Sequence, residues 1–452
     1  MFWEKEGKLI YSYDGETVCI EAWGKDALRV RATKNRSFTG RDWALEAKDA
    51  HAGEVEIFED PSAKGGAFAN MYEGTDTSYG KITNGKLHAV IDSGSVITFY
   101  HEDGRVLLKE HFRRLRDEES MPLNIMGREY SNGVGDNFRI VARFVARKGE
   151  KIFGMGQYQQ HELDLKGCML ELAQRNSQVS VPFYLSSIGY GFLWNNPGVG
   201  QVMFANNGTE WVTESGKEID YLVIAGDTPA EIEENYMTLT GKPPMMPEYG
   251  MGFWQCKLRY WNQEQLLSVA RKYKELGVPL DVIVVDFFHW TKQGEFKFDP
   301  KYWPDVPGMC RELKEMGIQV VVSVWPTVDI YSENFEEMKE KGYLVRTEHG
   351  VPLTMLCGGN EVFFDATNPD ARTYVWEKIK KNYYDQGAKL FWLDVAEPEY
   401  SVYDFKNYRY QLGSVQEVGN IYPKYYLKAF YDGMTAEGDT MPISLIRSAW
   451  AG

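Results

Sequence analysis

Three carboxylates stand close together in the stretch from Gly387 to Glu399. Residues 390–393 form an apolar run that is too short for a helix and predicts a buried strand. Asp394 ends this run, and Glu397 follows in the next loop. Barrels of parallel strands carry their catalytic groups at the carboxyl ends of the strands, so Asp394 is a candidate catalytic residue. The alternative is that Asp394 only caps a turn after a core strand.

Other predicted strands end at Asp286, Trp325 and Arg447. Strand ends converge on one face of a barrel, so we expect these side chains to lie near Asp394. A guanidinium beside Asp394 would keep its carboxylate ionised, although such pairs are also common as structural ion pairs. Aromatic rings such as those of Trp325 and Phe288 suit stacking on a sugar. Retaining glycosidases use two carboxyl groups about 5–5.5 Å apart, one as nucleophile and one as acid/base, which fits this combination.

The sequence lacks the patterns of other common catalytic centres. Its seven histidines are scattered, and no pair spaced by four residues encloses a Glu, as a zinc site would require. It has no Gly-x-Ser-x-Gly motif, and no Gly-rich phosphate loop follows the first strand after residue 247. We therefore expect no metal ion and no other cofactor.

Strands and helices alternate after Pro247. We predict strands at 249–254, 280–285, 318–324, 390–393 and 442–446, and helices at 263–276, 307–316, 368–385 and 421–437. Continuous apolar strands between amphipathic helices are typical of parallel βα units that are covered on both faces. The pattern fits a (β/α)8 barrel or an open doubly wound sheet, and the functional side chains at several strand ends favour the barrel.

Residues 1–235 have the pattern of an all-β domain. Short segments such as 16–23 and 27–31 alternate apolar and polar residues, and Gly-containing turns recur, which predicts a β-sandwich. We therefore predict a multidomain β plus α/β protein. It has an N-terminal β-sandwich at 1–235, a proline-rich linker at 236–247 and a (β/α)8 barrel at 248–452 in which about five strands are present.

Composition and charge exclude several classes of protein. The 452 residues are too many for one ordinary core, and the net charge of −15 argues against a nucleic-acid partner. No apolar run of about 18 residues and no signal peptide is recognisable, so we expect a cytoplasmic protein with no membrane association. The cysteines are scattered and odd in number, which argues against a disulfide framework: Cys19, Cys168, Cys256, Cys310 and Cys357.

The motifs at these strand ends resemble glycoside hydrolase family 31, the retaining α-glucosidases and α-xylosidases. The resemblance covers most of the chain and includes residues 163–167, 171–176, 182–187, 189–194, 285–290, 296–300, 323–326, 392–394 with Glu397, and 447–452. It implies an exo-acting hydrolase that releases a terminal non-reducing α-linked sugar through a covalent glycosyl-aspartate.

The resemblance also implies roles for individual residues. Asp394 matches the nucleophile, and Glu397 matches the glutamate just after it, for which we expect a supporting role. Asp286 and Trp325 match residues that line the subsite of the cleaved sugar. Arg447 matches the arginine that lies beside the acid/base and contacts the sugar.

Two further positions bear on the substrate. α-Glucosidases of the family tend to carry a second Asp two residues after the strand-end Asp, where this chain has Phe288. A Phe accepts no hydrogen bond and would crowd the hydroxymethyl group at C5, which favours xylose over glucose. Asn176 falls in the segment that, in the family, sends a loop over the subsite. An α-glucosidase is the alternative within the family.

One departure from the family pattern concerns the acid/base. In the family this aspartate follows the Arg-Ser-Ala-x-x-Gly stretch, and this sequence ends within that stretch at Gly452, so we expect the acid/base outside it. A truncated homologue that binds sugars without hydrolysing them is therefore the alternative from another class. We expect an oligosaccharide or small α-glycoside as the ligand, and self-association into a homo-oligomer stays open.

Overall fold

The computed structural model describes residues 1–46, 49–59, 78–92, 94–111, 113–115, 123–350 and 360–452. Cys357 lies outside these ranges. The chain divides into a first unit, Met1–Ala173 with Ser180–Lys242 and Ala451–Gly452, and a second unit, Gln174–Val179 with Pro243–Trp450. No helix within the described ranges is long and apolar enough to cross a membrane.

The first unit consists mainly of antiparallel β-sheets. The largest sheet has nine strands, in the order Phe2–Lys5, Lys8–Tyr13, Glu16–Trp23, Ala27–Thr33, Ile219–Ala225, Tyr190–Trp194, Val179–Ser186 and Ile152–Gln157, with Ala50–His51 paired to Glu16–Trp23. Two further sheets have five strands each. The first has the order Val106–Lys109, Ile97–His101, Leu87–Ile91, Ser78–Asn84 and Glu54–Glu59. The second has the order Arg128–Asn132, Phe138–Phe144, Gly208–Gly216, Gly200–Ala205 and Met169–Leu172. Arg113–Leu115 pairs with Leu123–Ile125.

One apolar core joins these three larger sheets. Ile20 of the nine-stranded sheet, Ile82 of one five-stranded sheet and Trp211 of the other are fully buried members of the same cluster. Successive side chains of a strand point to opposite faces of its sheet, so one face of each sheet packs against this core. The core of the first unit is therefore made by sheet-on-sheet packing.

A helix at Pro229–Thr240 ends the first unit. The hydroxyl of Thr228 accepts a hydrogen bond from the Glu231 backbone N–H at 3.2 Å, and Pro229 occupies the first turn, as is typical of helix starts. Leu239 is buried in the last turn. The helix continues to Thr240, so the predicted linker at 236–247 is wrong for residues 236–240. Burial of Leu239 stabilises this last turn.

The second unit contains a sheet of five parallel strands. Their order is Trp254–Gln255, Val282–Val285, Gln319–Val324, Leu390–Leu393 and Ser444–Ile446. The α-helices are Gln263–Glu275, Val306–Glu315, Phe335–Glu340, Pro369–Ile379, Val415–Val418 and Tyr422–Ala436, and a π-helical turn at Lys380–Tyr384 follows the fourth of them. Two short antiparallel pairs, Thr327–Asp329 with Glu361–Phe363 and Arg346–Thr347 with Tyr408–Arg409, lie in the connections.

The first strand of this sheet is shorter than the sequence predicts. Glu248–Met251 forms a 3-10 helix, and only Trp254–Gln255 pairs in the sheet. The N–H of Gly252 donates to the Tyr249 carbonyl at 3.2 Å and closes the 3-10 turn. The prediction of a strand over 249–254 is wrong for its first half, because two glycines in this segment weaken a strand.

Candidate active site

Asp394 lies directly after the strand Leu390–Leu393, at the carboxyl edge of the parallel sheet. Its backbone N–H donates to the Val324 carbonyl at 3.0 Å, which ties it to the neighbouring strand. The side chain is 7% exposed, and burial raises the pKa of its carboxyl above the ordinary value although Arg447 opposes this. Val395 follows with a φ of 58°, a strained conformation for a β-branched residue. Strain of this kind concentrates at functional sites.

Arg447 gathers three carboxylates around one guanidinium. Its Nη1 lies 3.2 Å from Oδ1 of Asp394, and it binds Glu397 in a bidentate manner, with Nε and Nη2 at 2.8 and 2.9 Å from the two carboxylate oxygens. Nη2 also donates to Glu399. Burial raises the pKa of Glu397, again with Arg447 opposing. One guanidinium thus contacts three carboxyl groups, so acidic groups outnumber basic groups in this cluster.

A short segment of chain, Gln174–Asn176, belongs to the same unit as this cluster. The Asn176 side-chain amide donates to Glu399 at 3.0 Å, and the Asn176 backbone N–H donates to the Tyr403 hydroxyl at 3.3 Å. The Gln174 amide donates to the Ala449 carbonyl at 2.9 Å. Asn176 therefore reaches the Arg447 cluster through Glu399.

Asp286 ends the strand Val282–Val285 and has two hydrogen-bond donors. The Phe287 backbone N–H donates to Oδ1 at 2.7 Å, and the Cys256 thiol lies 3.6 Å from Oδ2. Burial raises the pKa of Asp286 despite these donors, and burial together with the Asp286 charge raises that of Cys256 to about 11. The charge of Asp286 also raises the pKa of Asp394, so the two carboxylates share one electrostatic environment.

Aromatic side chains follow the strands Val282–Val285 and Gln319–Val324. The Trp325 ring centroid lies 5.2 Å from that of Phe287, 6.1 Å from that of Phe288 and 5.7 Å from that of Trp290. Trp325 is buried, whereas Phe288 is 41% exposed and has a φ of 59°. Exposed ring faces offer stacking surface to the apolar face of a sugar, and buried rings lower the local dielectric constant.

Comparison with known proteins identifies the family. A model of the family 31 glycosyl hydrolase TIM-barrel domain matches residues 243–452. The uncharacterized family 31 glucosidase ORF2 of Pseudescherichia vulneris is 45% identical over 99% of this chain and 84% of its own length. The chain belongs to glycoside hydrolase family 31.

Other members of family 31 are also similar. α-Xylosidase A of Aspergillus niger is 30% identical, and the alignment covers 97% of this chain and 62% of that protein. The crystal structure of a family 31 α-xylosidase from a soil metagenome, complexed with xylose, matches with a TM-score of 0.93 and 50% identity over all of this chain. This chain covers 66% of that solved protein, so it spans about two thirds of the length of these two relatives.

The geometry brings two residues into this family 31 site that the sequence analysis did not select. Glu399 joins Arg447 to Asn176, and Cys256 contacts Asp286. Each had a usable signal: Glu399 lies two residues beyond Glu397, and Cys256 follows directly after the first parallel strand. Within the described ranges, no group of three or more His, Cys, Asp or Glu side chains is placed to hold a metal ion.

Proposed function

We propose that this family 31 protein is a retaining, exo-acting α-glycoside hydrolase that releases a terminal non-reducing α-xylose. The observation that carries the proposal is the Asp394 carboxylate, which lies at a strand end, 3.2 Å from Arg447. The rings of Phe287 and Trp325, which follow two other strands of the same sheet, contact each other at 5.2 Å. A cation beside a buried carboxylate favours the ionised, nucleophilic form. The names of the relatives, α-xylosidase and family 31 glucosidase, support the same reaction class.

In the proposed reaction an Asp394 oxygen attacks the anomeric carbon while the bond to the leaving-group oxygen breaks, and a general acid, which is not one of the residues assigned here, protonates that oxygen. The product is a β-linked glycosyl-enzyme. Water that loses its proton to the same acid/base group then attacks the anomeric carbon, and this second inversion returns the α configuration. Glu397 and Glu399 both accept hydrogen bonds from Arg447, so their role is to position that guanidinium. We assign Asp286 and Trp325 to binding of the cleaved sugar.

A fluorosugar with a leaving group that departs without protonation tests the nucleophile separately from the acid/base. We expect 5-fluoro-α-xylosyl fluoride to label the protein once, on the peptide that contains Asp394, and we expect no label on Asp394→Asn. A label on Glu397 or Glu399 would overturn the assignment. Binding of xylose without any covalent label would favour the alternative of a non-catalytic carbohydrate-binding protein.

Phe288 is the basis for proposing xylose rather than glucose as the cleaved sugar. Its ring is exposed toward solvent, and it offers no acceptor to a hydroxymethyl group, so rejection of glucose by crowding and unpaired hydroxyls is worth about 2–4 kcal/mol. We expect faster fluoride release from α-xylosyl fluoride than from α-glucosyl fluoride, and a smaller difference in Phe288→Ala. The exposed Phe253, at the start of the unit, is the matched control. Faster fluoride release from α-glucosyl fluoride by the unmodified protein would contradict the proposed preference for xylose.

A further inference from the structure

A small cavity lies beside Trp325, one of the two residues that we assign to binding of the cleaved sugar. Its lining includes Trp290 and Gln293 from the loop after the strand Val282–Val285, Trp325 itself, and Tyr383 from the π-helical turn. The cavity leaves about 10 Å³ for the centre of a water molecule. A single buried water needs about 10–15 Å³ on this measure, so the cavity suits one water molecule and is too small for a sugar.

Two strongly buried N–H donors belong to residues that line this cavity. Within the described ranges, neither Nε1 of Trp325 nor Nε2 of Gln293 has a hydrogen-bond acceptor, and the two residues are 7% and 5% exposed. Nε1 of the half-buried Trp290 is a third such donor. Buried polar groups are nearly always hydrogen-bonded, because an unpartnered donor away from water costs free energy. Donors grouped around one cavity therefore indicate an acceptor inside it.

The Gln293 side chain is oriented by its neighbours. The fully buried Thr327 hydroxyl donates to Oε1 of Gln293 at 2.6 Å, so the amide nitrogen is the end left for the cavity. The backbone is fixed as well, because the Asp329 N–H donates to the Gln293 carbonyl at 3.0 Å and the Asn334 amide donates to the Gly294 carbonyl at 2.8 Å. Gln293 therefore presents its N–H donors from a rigid loop.

Tyr383 supplies a hydrogen-bond acceptor to the same cavity. Burial lowers the pKa of His289 to about 4, so its imidazole is neutral near pH 7. A carbonyl only accepts, so Nδ1 of His289 carries the proton and donates to the Asp286 carbonyl at 3.0 Å. Nε2 is then an acceptor, and the Tyr383 hydroxyl, 2.9 Å away, donates to it. The Tyr383 oxygen keeps its lone pairs for a donor inside the cavity.

We propose that one ordered water molecule occupies this cavity, accepts hydrogen bonds from Trp325 and Gln293, and donates one to Tyr383. A water molecule has both lone pairs and hydrogens to match these partners, whereas a halide ion would match the N–H donors alone. The water fixes the orientation of the Trp325 indole, so Gln293 and Tyr383 are positioning residues for sugar binding. This role rests on the proposed function, in which Trp325 binds the cleaved xylose. Through His289 the same network reaches the backbone of Asp286, the other assigned sugar-binding residue.

Labelling of the tryptophan indoles with ¹⁵N tests for the water in the full chain without requiring turnover. We expect the Trp325 Nε1–H resonance, assigned by its loss in Trp325→Phe, to show a rotating-frame Overhauser cross-peak to a long-lived water. The cross-peak should disappear in Gln293→Leu and in Tyr383→Phe. It should persist in the control Tyr410→Phe, which removes a fully buried hydroxyl that pairs with Tyr400. Absence of the cross-peak in the unmodified protein, or a bromide ion in this cavity in a bromide-soaked crystal, would overturn the proposal.

Sugar binding separates a positioning role from a merely structural one. We expect Gln293→Leu and Tyr383→Phe each to weaken xylose binding about three- to tenfold in calorimetric titration, as loss of one hydrogen bond would give. The KM for α-xylosyl fluoride should rise by a similar factor while kcat stays within about twofold, because Trp325 binds the sugar in the ground state and the transition state alike. Tyr410→Phe should change neither quantity.

The outcomes separate this inference from the proposed function. Loss of the cross-peak with unchanged xylose affinity in both variants, or a fall in kcat with an unchanged KM, would overturn the positioning role of Gln293 and Tyr383. Loss of the cross-peak together with weaker xylose binding supports it. Failure of 5-fluoro-α-xylosyl fluoride to label Asp394 would instead overturn the proposed function, and the cross-peak would still decide whether the water is present.

Discussion

An Arg–Asp pair occurs in each unit, fully buried in the first unit and partly buried in the second, and the two pairs differ in how many of their polar atoms have hydrogen-bond partners. In the first unit Arg29 and Asp220 are fully buried and share two hydrogen bonds, at 2.9 and 2.6 Å. Arg29 also donates to Asp42 at 2.7 Å and to the Arg41 carbonyl at 3.0 Å, and the Asn195 amide donates to Asp220 at 2.8 Å. The protein itself supplies the partners that these charges need.

The Arg447–Asp394 pair of the second unit is less complete. Arg447 is 25% exposed and divides its donors among three carboxylates. Its contact with Asp394 lacks hydrogen-bond geometry, and Oδ1 of Asp394 has no hydrogen-bond partner among the described residues. Buried polar atoms without partners cost free energy, and they are retained where function needs them. The difference agrees with a structural role for Arg29–Asp220 and with the proposed role of Asp394 as the nucleophile.

The largest expected effect is on catalysis. Asp394→Asn should lower fluoride release from α-xylosyl fluoride by at least about 10⁴-fold, because the amide is not a nucleophile. The same change should leave the midpoint of thermal unfolding equal or higher, because it removes a charge whose burial is unfavourable. Asp432→Asn, on the solvent side of a helix, is the control. Retained turnover in Asp394→Asn would contradict the functional role that distinguishes Asp394 from Asp220.

A change in the first unit should affect stability instead. Asp220→Asn leaves Arg29 without its fully buried charge partner and should lower the free energy of unfolding by about 3–5 kcal/mol, measured by denaturant titration. Asp42→Asn removes the partly exposed partner of Arg29 and should cost less than about 1 kcal/mol. Equal losses in the two variants would show that the pair is not the structural centre that its burial indicates.

Arg447→Met should change the pH dependence of the reaction. Burial raises the pKa of Asp394 and Arg447 lowers it, so loss of the cation raises that pKa further. The nucleophile must be ionised, and the acidic limb of kcat/KM for α-xylosyl fluoride should therefore move to higher pH. Arg447→Lys keeps the charge and should move the limb less. A limb that stays in place would contradict the assigned electrostatic role of Arg447.

The smallest expected effect concerns a carboxyl outside the Arg447 cluster. Glu361 is 3% exposed, and burial, assisted by the charge of Asp329, raises its pKa to about 7. The pKa of a Glu in an unfolded chain is about 4.3, below that of Glu361 in the folded protein. The contribution of Glu361 to stability is therefore greatest below about pH 4.3 and is lost as the pH rises through about 7. Glu361→Gln should flatten this decline in the thermal midpoint between pH 5 and pH 8. The exposed Glu336→Gln should not, and an unchanged slope in Glu361→Gln would contradict the shifted pKa.

Features that depend on neighbouring residues could be predicted from the sequence alone. The strand Leu390–Leu393 has the predicted bounds, because a short apolar run after a glycine leaves the chain few other conformations. Its position also put Asp394 at the carboxyl end of a parallel strand. The family followed from ordered motifs along the chain, and the comparisons confirm it.

Features that depend on contacts between distant residues required the tertiary structure. The Asn176 amide reaches Glu399 across 223 positions of sequence, and no local pattern predicts that Gln174–Val179 belongs to the second unit. The Cys256–Asp286 contact and the hydrogen bond from Arg259 to the Phe288 carbonyl likewise join separate loops. Local sequence sets which conformations a segment prefers, whereas burial and hydrogen bonding between segments decide which side chains meet, and those energies exist only once the chain has folded.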